Sequence, residues 1–151
     1  MQIIQLTLDR FDRWRTEMEA LLKETVIHNF FEYLPPQEYY KNTIENLYQY
    51  LAEEKAIVFL AIINEELSGW IWCHEIYRFE KRRLHIASFA VKENSRNNGI
   101  GENLFSTVEK YAKEHEIKGI DLMVTKSNKQ AVRFYNKHGF ETERFLMKKG
   151  I

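Results

Sequence analysis

Cysteine, proline and glycine are all scarce in this sequence. Its 151 residues include one cysteine, two prolines and six glycines. Because Cys73 is the only cysteine, an intramolecular disulfide and a cysteine-rich metal site are both excluded. No linker rich in glycine, proline or serine interrupts the chain, and no repeat or low-complexity tract is visible. We therefore expect a single domain over residues 1–151, without a metal ion.

The sequence also lacks an excess of either charge. Lysine plus arginine number 22, as do aspartate plus glutamate, so the formal net charge is zero. Proteins that coat nucleic acid usually carry a basic excess, because neutralising phosphates supplies most of their affinity. Nucleic acid is therefore not expected as the main partner.

Long apolar runs are missing as well. The longest, from Ala56 to Ile63, is far too short to cross a bilayer. The first nine residues have no basic stretch followed by a long apolar one, so they do not resemble a secretory signal. We expect a cytoplasmic protein that does not enter a membrane.

Apolar residues make up 44% of the chain, which is enough for one sizeable core. Their spacing predicts a strand, two helices, three strands, a helix, a strand, a helix and one or two final strands. This order predicts a mixed sheet with helices on its faces. The predicted strands cover residues 3–8, 56–63, 67–77, 84–91, 120–124 and 140–149, and the predicted helices begin near residues 11, 40, 100 and 131.

A glycine-containing turn between the predicted strand ending at Val91 and the following helix is the most informative segment. Gly99 and Gly101 allow the backbone to approach a ligand closely, and the first turn of a helix presents unpaired N–H groups and a positive dipole end. Together these features indicate an anion site suited to a pyrophosphate, although an ordinary turn has the same spacing. Leu104 stands where a dinucleotide-binding G-x-G-x-x-G needs its third glycine, which disfavours a hydride-transfer enzyme.

Two sequence blocks resemble the GNAT superfamily of N-acetyltransferases. Arg96–Gly101 (Arg-Asn-Asn-Gly-Ile-Gly) fits that family's pattern of Arg or Gln, two residues, Gly, one residue, then Gly or Ala. Asn128–Phe140 is similar to its Asn-x-x-Ala-x-x-Phe-Tyr-x-x-x-Gly-Phe signature. One predicted helix and one strand separate the blocks, as in the family.

The resemblance implies an α/β fold of the α+β type. Its central sheet would be mixed and mostly antiparallel, splayed between the fourth and fifth strands, with about four helices on its faces. It also implies acetyl-coenzyme A as cosubstrate, with its pyrophosphate on the glycine turn and its pantetheine arm along the fourth strand, and leaves a homodimer open. The cofactor-binding residues would be Phe89, Ala90, Val91, Arg96, Asn97, Asn98, Gly99, Ile100, Gly101, Asn128 and Tyr135.

Tyr135 matches the family's tyrosine acid. A phenol has a pKa of about 10, so it is protonated at neutral pH and can donate to a departing thiolate. Packing of the last helix is the alternative role for this side chain. Asn128 is expected either to cap that helix or to contact the cofactor, and both roles are compatible.

The base is less clearly indicated, because Ala87 stands where many family members carry a carboxylate. His85 is the first candidate, since it lies on the same strand face as Ala87 if no bulge intervenes. Glu75 on the neighbouring strand is the second candidate. A chain of water molecules is the alternative to both.

The resemblance implies that an amine attacks the thioester directly, in a ternary complex. The acceptor would be a primary amine of a small molecule or peptide, bound between the first two helices and the splayed strands. The alternatives are a protein N-acetyltransferase and an acyl-coenzyme A sensor without catalysis. Aromatic and acidic residues in that region could hold a cation, although each could equally belong to the core: Phe30, Phe31, Glu32, Tyr33, Glu38, Tyr39, Tyr40, Trp70 and Trp72.

Overall fold

A computed structural model describes residues 1–29 and 34–151. Within these ranges, four α-helices and five β-strands follow one another in the order that the apolar spacing predicts up to residue 137. The strands are β1 (Gln2–Gln5), β2 (Ala56–Ile63), β3 (Glu66–Arg78), β4 (Lys81–Val91) and β5 (Ile120–Leu122), and the helices are α1 (Phe11–Asn29), α2 (Glu38–Ala52), α3 (Ile100–Glu114) and α4 (Lys129–Lys137).

The five strands form one sheet in the order β1-β2-β3-β4-β5. Neighbouring strands from β1 to β4 are antiparallel, and β5 runs parallel to β4 after the crossover through α3. The β4–β5 ladder contains three pairs, from Leu84 opposite Ile120 to Ile86 opposite Leu122. The predicted mixed sheet that opens between its fourth and fifth strands is confirmed.

Both faces of the sheet are covered by helices, which explains why β3 is apolar at nearly every position. Trp70 and Trp72 of β3 pack beneath α1 and α2, whereas Ile71 and Cys73 pack against α3 on the opposite face. Side chains of a strand alternate between the two faces, so a strand buried on both sides has no polar face. Among the helices that the structure describes, none has the length and apolar content needed to span a membrane.

The predicted final strands over residues 140–149 are wrong. The structure assigns no strand or helix to residues 138–151, and Phe145, Leu146 and Met147 are exposed. A strand-like sequence is stabilised only through packing and pairing with neighbours. Here the adjacent strand, β5, is three residues long and pairs with β4 alone in the described sheet.

Helix α3 approaches β3 closely at Gly69. A Cβ atom placed on Gly69 would lie 3.0 Å from the backbone oxygen of Ala90, 3.0 Å from Cγ2 of Ile100 and 3.2 Å from Cδ1 of Leu104. The first of these atoms is main chain and cannot move aside without distorting the sheet. The absence of a side chain at Gly69 therefore allows the start of α3 to lie this close to β3.

We predict that Gly69→Ala destabilises the protein by about 1–3 kcal/mol, the usual cost of overpacking a filled core. Chemical denaturation measures the free energy of unfolding. Gly150→Ala is the matched control, because nothing lies within 4 Å of a Cβ at Gly150. Equal stability of the two variants would contradict the close approach.

Candidate functional site

A cleft of about 420 Å³ opens where β4 and β5 separate. Its walls are the second half of β4, the loop and first turn of α3, the segment after β5, α4, the second half of α1 and the start of α2. Of the eleven cofactor-binding residues predicted from the sequence, only Asn98 is absent from this lining. The predicted residues that line the cleft are Phe89, Ala90, Val91, Arg96, Asn97, Gly99, Ile100, Gly101, Asn128 and Tyr135.

The loop before α3 has the backbone geometry that the glycine pattern indicates. Gly99 caps the helix with φ +75°, a left-handed conformation that favours glycine, and Asn97 has φ +63°. The Arg96 side chain is held back toward the strand, because its Nε donates to the backbone oxygen of Val91 at 3.1 Å. Gly99, Ile100 and Gly101 line the cleft, so the unpaired N–H groups and the positive dipole end of the helix start lie at its wall.

One carboxylate lies in that first turn, and a cation neutralises it. Nζ of Lys137 on α4 donates to Oε1 of Glu102 at 2.7 Å. This hydrogen bond is the main cause that lowers the pKa of Glu102 below its usual value. The negative charge at the helix start is thereby offset, and an anion can still be attracted there.

The edge of β4 beyond its three pairs with β5 is open. β5 ends at Leu122, so the stretch Phe89–Val91 has no strand partner on that side among the described residues. Its backbone N–H and C=O groups can pair with an extended ligand, as strands do with an added strand.

Tyr135 on α4 lines the cleft and is half-buried. Its ring packs at 6.5 Å from that of Phe89 and 5.4 Å from that of Phe140. Burial, with a smaller contribution from nearby Cys73, raises the pKa of the Tyr135 hydroxyl to about 12. Helix α4 is fixed at its start by Asn128, whose Oδ1 accepts the Ala131 N–H at 3.2 Å. Asn128 therefore caps α4 and also lines the cleft.

His85 lies outside the cleft lining, on the face of the sheet that α1 and α2 cover. A bulge intervenes on β4: Trp72 pairs with Ser88 and Cys73 with Ile86, which leaves Ala87 unpaired. From the sequence, His85 is expected on the same face as Ala87 only if β4 has no bulge. Because of the bulge, His85 shares its face with Ser88 instead. His85 Nδ1 lies 2.7 Å from Oδ1 of Asp121, and its ring centroid is 5.3 Å from that of His74.

Glu75 lies on the opposite face from His85. Arg82 donates to both of its carboxylate oxygens, at 3.0 and 2.9 Å. The pKa of Tyr111 on α3 is raised mainly by burial and, second, by the negative charge of Glu75. The structure therefore brings Tyr135 together with the predicted cofactor residues but places Glu75 elsewhere, in an ion pair.

The aromatic and acidic residues expected around the acceptor do not all lie at one site, because some belong to the core and others line a cleft or groove. Tyr40 and Trp70 are core residues, 4% and 0% exposed. Tyr39 lines the cleft and also a shallow groove along α2, whose floor includes Trp72. Glu38 belongs to the same α2 groove. Phe30, Phe31, Glu32 and Tyr33 lie outside the described residues.

Asp121 is the polar residue that sequence reasoning missed. Besides His85, it accepts from Nε of Arg78 at 3.2 Å and from Nη1 of Arg83 at 3.4 Å. The sequence did offer a signal, since Asp121 stands between the apolar residues Ile120 and Leu122 in a short predicted strand. Carboxylates are rarely buried unless they are paired, so this position indicated a cationic or hydrogen-bonding partner. In the part of the chain that the structure describes, no three His, Cys, Asp or Glu side chains are grouped to hold a metal ion.

Comparison with known families finds a match over most of the chain. The family model described as "Acetyltransferase (GNAT) family" matches residues 15–140 of this chain. Among curated proteins, human N-alpha-acetyltransferase 30 is 32% identical over 93 residues. That stretch is 61% of this chain but only 26% of the human protein.

Solved structures share the fold over nearly the whole chain. A predicted acetyltransferase from Clostridium acetobutylicum, solved with acetyl-CoA, has a TM-score of 0.78 at 19% identity, covering 98% of this chain and 95% of its own. An aminoglycoside acetyltransferase from an uncultured soil metagenomic sample, in complex with trehalose, has a TM-score of 0.75 at 19% identity, with 99% and 95% covered. At this level of identity the likeness shows the fold alone.

The cap of α4 gives a prediction. Asn128→Ala removes the acceptor for the Ala131 N–H and should cost about 1 kcal/mol of stability, as the loss of a helix cap usually does. Asn128→Asp is the matched control, since its carboxylate also accepts that N–H and suits a helix start. Urea unfolding of the two variants measures the difference. Equal stability of wild type and Asn128→Ala would show that the cap does not contribute to the free energy of unfolding.

Proposed function

The chain belongs to the acetyltransferase (GNAT) family, and we propose that it transfers an acetyl group from acetyl-CoA to a primary amine of a small molecule or peptide. The observation that carries this proposal is the cleft itself. One opening combines the start of α3, the free edge of β4 and the hydroxyl-bearing ring of Tyr135.

The residues that line the cleft fit acetyl-CoA by the chemistry of their groups. The helix start and the Arg96 loop suit a pyrophosphate, because unpaired N–H groups and a dipole attract anions there. The stretch Phe89–Val91, which has no strand partner on its β5 side among the described residues, suits the amide-containing pantetheine arm, which can pair with a strand edge. Bound acetyl-CoA would supply the activated acetyl group, and a backbone N–H of this stretch would polarise its carbonyl.

Direct attack by the amine is favoured over an acetylated enzyme. Cys73 is the one cysteine of the chain and is fully buried. Burial raises the pKa of its thiol to about 12, so the nucleophilic thiolate is not formed at neutral pH. Without an activated thiol, a ternary complex is the simpler route.

Tyr135 serves in this proposal as the donor to the departing sulfur. With a pKa of about 12 its hydroxyl keeps its proton at neutral and mildly alkaline pH. A phenol with so high a pKa transfers its proton less readily than one near the operating pH. Its main contribution is therefore a hydrogen bond that stabilises the negative charge developing on sulfur.

His85 serves as the base that frees the amine of its proton. A primary ammonium has a pKa of about 10, so most acceptor molecules must lose a proton before attack. His85 shares the sheet face of Ser88, a residue of the cleft lining, and an imidazole can act through one water. Glu75 is not part of this proposal, because it is paired with Arg82 on the other face.

The acceptor is proposed to bind in the α2 groove. Tyr39 lines both the groove and the cleft, so the two adjoin at this side chain. Aromatic rings with Glu38 nearby suit a cationic amine. The names of the similar proteins suggest two classes to test: peptide N-termini, from N-alpha-acetyltransferase 30, and amino sugars, from the aminoglycoside acetyltransferase.

Release of coenzyme A, measured with a thiol reagent across a panel of amino sugars, polyamines and N-terminal peptides, tests the function. A sensor that binds acyl-CoA without turnover is the second candidate, and the alanine at position 87 favours it. Turnover with one class would establish the enzyme and name its acceptor. Tight binding without release of coenzyme A for any amine would favour the sensor.

The loop before α3 gives a prediction about affinity. Gly99→Val and Gly101→Val should each weaken acetyl-CoA binding about tenfold or more, measured by calorimetry. At Gly99 the left-handed backbone disfavours any side chain, and at Gly101 a Cβ already lies 3.5 Å from the ring of Phe89. Gly150→Val is the control, in open surroundings. Undiminished affinity in folded variants would remove the cofactor from this loop.

Tyr135→Phe tests the role of the hydroxyl. The ring contacts remain, so melting temperature and acetyl-CoA affinity should hardly change, while turnover should fall about ten- to a thousandfold. If the hydroxyl only packs the helix, stability should fall by about 1 kcal/mol instead. A stable variant with full turnover would leave water as the proton source for the thiolate.

A further inference from the structure

Two histidines and an aspartate lie side by side on three neighbouring strands, on the face covered by α1 and α2. His74 of β3 is paired with His85 of β4, and His85 with Asp121 of β5. The ring of Tyr50 on α2 lies 5.4 Å from that of His74. The side chains of His85 and Asp121 are 21% and 16% exposed, so the pair is largely shielded from bulk water.

Asp121 is held as an anion. Burial opposes its ionisation, but hydrogen bonds from His85, Arg78 and Arg83 outweigh burial and lower its pKa below the ordinary value. Arg83 is itself fixed by Glu143, whose two carboxylate oxygens accept from it at 3.0 Å each. The carboxylate therefore has a fixed position and can only accept hydrogen bonds.

The hydrogen bond at 2.7 Å decides which nitrogen of a neutral His85 carries the proton. An ionised carboxylate has no proton to donate, so Nδ1 of His85 must be the N–H donor. In the neutral ring the lone pair is then on Nε2. A histidine oriented in this way has one nitrogen fixed and the other free to accept a proton.

The bulge at Ala87 connects this pair with the proposed acceptor site. Because of the bulge, His85 lies on the same sheet face as Ser88, which lines the cleft, and as Trp72, which lines the α2 groove. His74 is the next residue of β3 on this face, and neither its Nδ1 nor Nε1 of Trp72 has a hydrogen-bond partner among the described residues. Buried donors and acceptors of this kind are usually satisfied by water or a ligand.

We propose that Asp121 is a positioning residue, which holds His85 in the tautomer whose free Nε2 takes the proton of the acceptor's ammonium group. This inference rests on the proposed acetyl transfer. In the step, the N–H bond of the ammonium breaks and an Nε2–H bond forms, directly or through one water. The positive charge moves to the imidazole ring beside the carboxylate, and the neutral amine keeps its electron pair for attack.

Among the described residues, charged and titratable groups on β3, β4, α2 and the segment after α4 surround this pair. They are His74 and Arg78 on β3, Arg83 on β4, Tyr50 on α2 and Glu143 in the segment after α4. Burial, followed by the charge of His85, lowers the pKa of His74, so that ring is neutral when His85 accepts a proton. A neutral neighbour does not oppose the charge that forms on His85.

Kinetics of Asp121→Asn, His85→Gln and the double variant test the inference. Each single variant should lower kcat/KM about 10- to 100-fold near neutral pH, with the loss shrinking as pH rises and more amine is free. The double variant should be no worse than either single one, because the two residues act as a unit. Asp121→Glu should recover part of the activity. Glu114→Gln is the control with little loss, because it breaks an exposed ion pair with Lys110 on α3, on the other face of the sheet.

The tautomer can be measured without any turnover. A long-range ¹H–¹⁵N spectrum of the imidazole rings should show His85 protonated at Nδ1 in the wild type and changed in Asp121→Asn. Protonation of His85 at Nε2 in the wild type would overturn the inference. So would full activity in either single variant, or a loss of kcat/KM in the double variant equal to the two single losses combined. A wild type that acetylates no amine would overturn the proposed function instead, and the tautomer would then be a structural feature only.

Discussion

The separation of β5 from β4 after three residue pairs determines where the cleft of this protein opens. A parallel neighbour along the whole of β4 would satisfy the backbone groups of Phe89–Val91 and close the cleft. Because β5 ends at Leu122, the groups on that side remain available to a ligand, apart from the Val91 oxygen that accepts from Arg96. The start of α3 lies beside this free edge, since the missing side chain at Gly69 permits its close approach. Strand edge and helix start thus form one site.

The bulge at Ala87 divides the proposed chemistry between the two faces of the sheet. Tyr135 packs with Phe89 on the α3 side, whereas His85 and Ser88 lie on the α1 and α2 side. A donor for the departing sulfur and a base for the incoming amine are needed on opposite sides of the reacting carbonyl. One extra residue in β4 sets the side on which His85 lies, because a shift of one residue exchanges the faces.

The features that depend on local sequence were predictable, and those that depend on pairing were not. The loop Arg96–Gly101 and the cap at Asn128 follow from glycine geometry and from side-chain hydrogen bonding over three residues. The bulge at Ala87 and the contact of His85 with Asp121 depend on which residue of another strand lies opposite. For the same reason the strands predicted after residue 140 are absent, since the strand propensity of a segment does not form a strand without a neighbouring strand to pair with.

The position of Tyr135 rests more on packing than on charge. The ion pair of Lys137 with Glu102 joins α4 to α3, but both side chains are well exposed, and such pairs contribute about 0–1 kcal/mol. Phe134 is partly buried and packs between the rings of Phe89 and Phe105, at 5.6 and 6.1 Å, and each aromatic pair of this kind adds about 0.5–1.5 kcal/mol beyond the burial of apolar area. The ion pair therefore matters chiefly by offsetting the carboxylate at the anion site, while the aromatic cluster keeps the Tyr135 hydroxyl beside the free edge of β4.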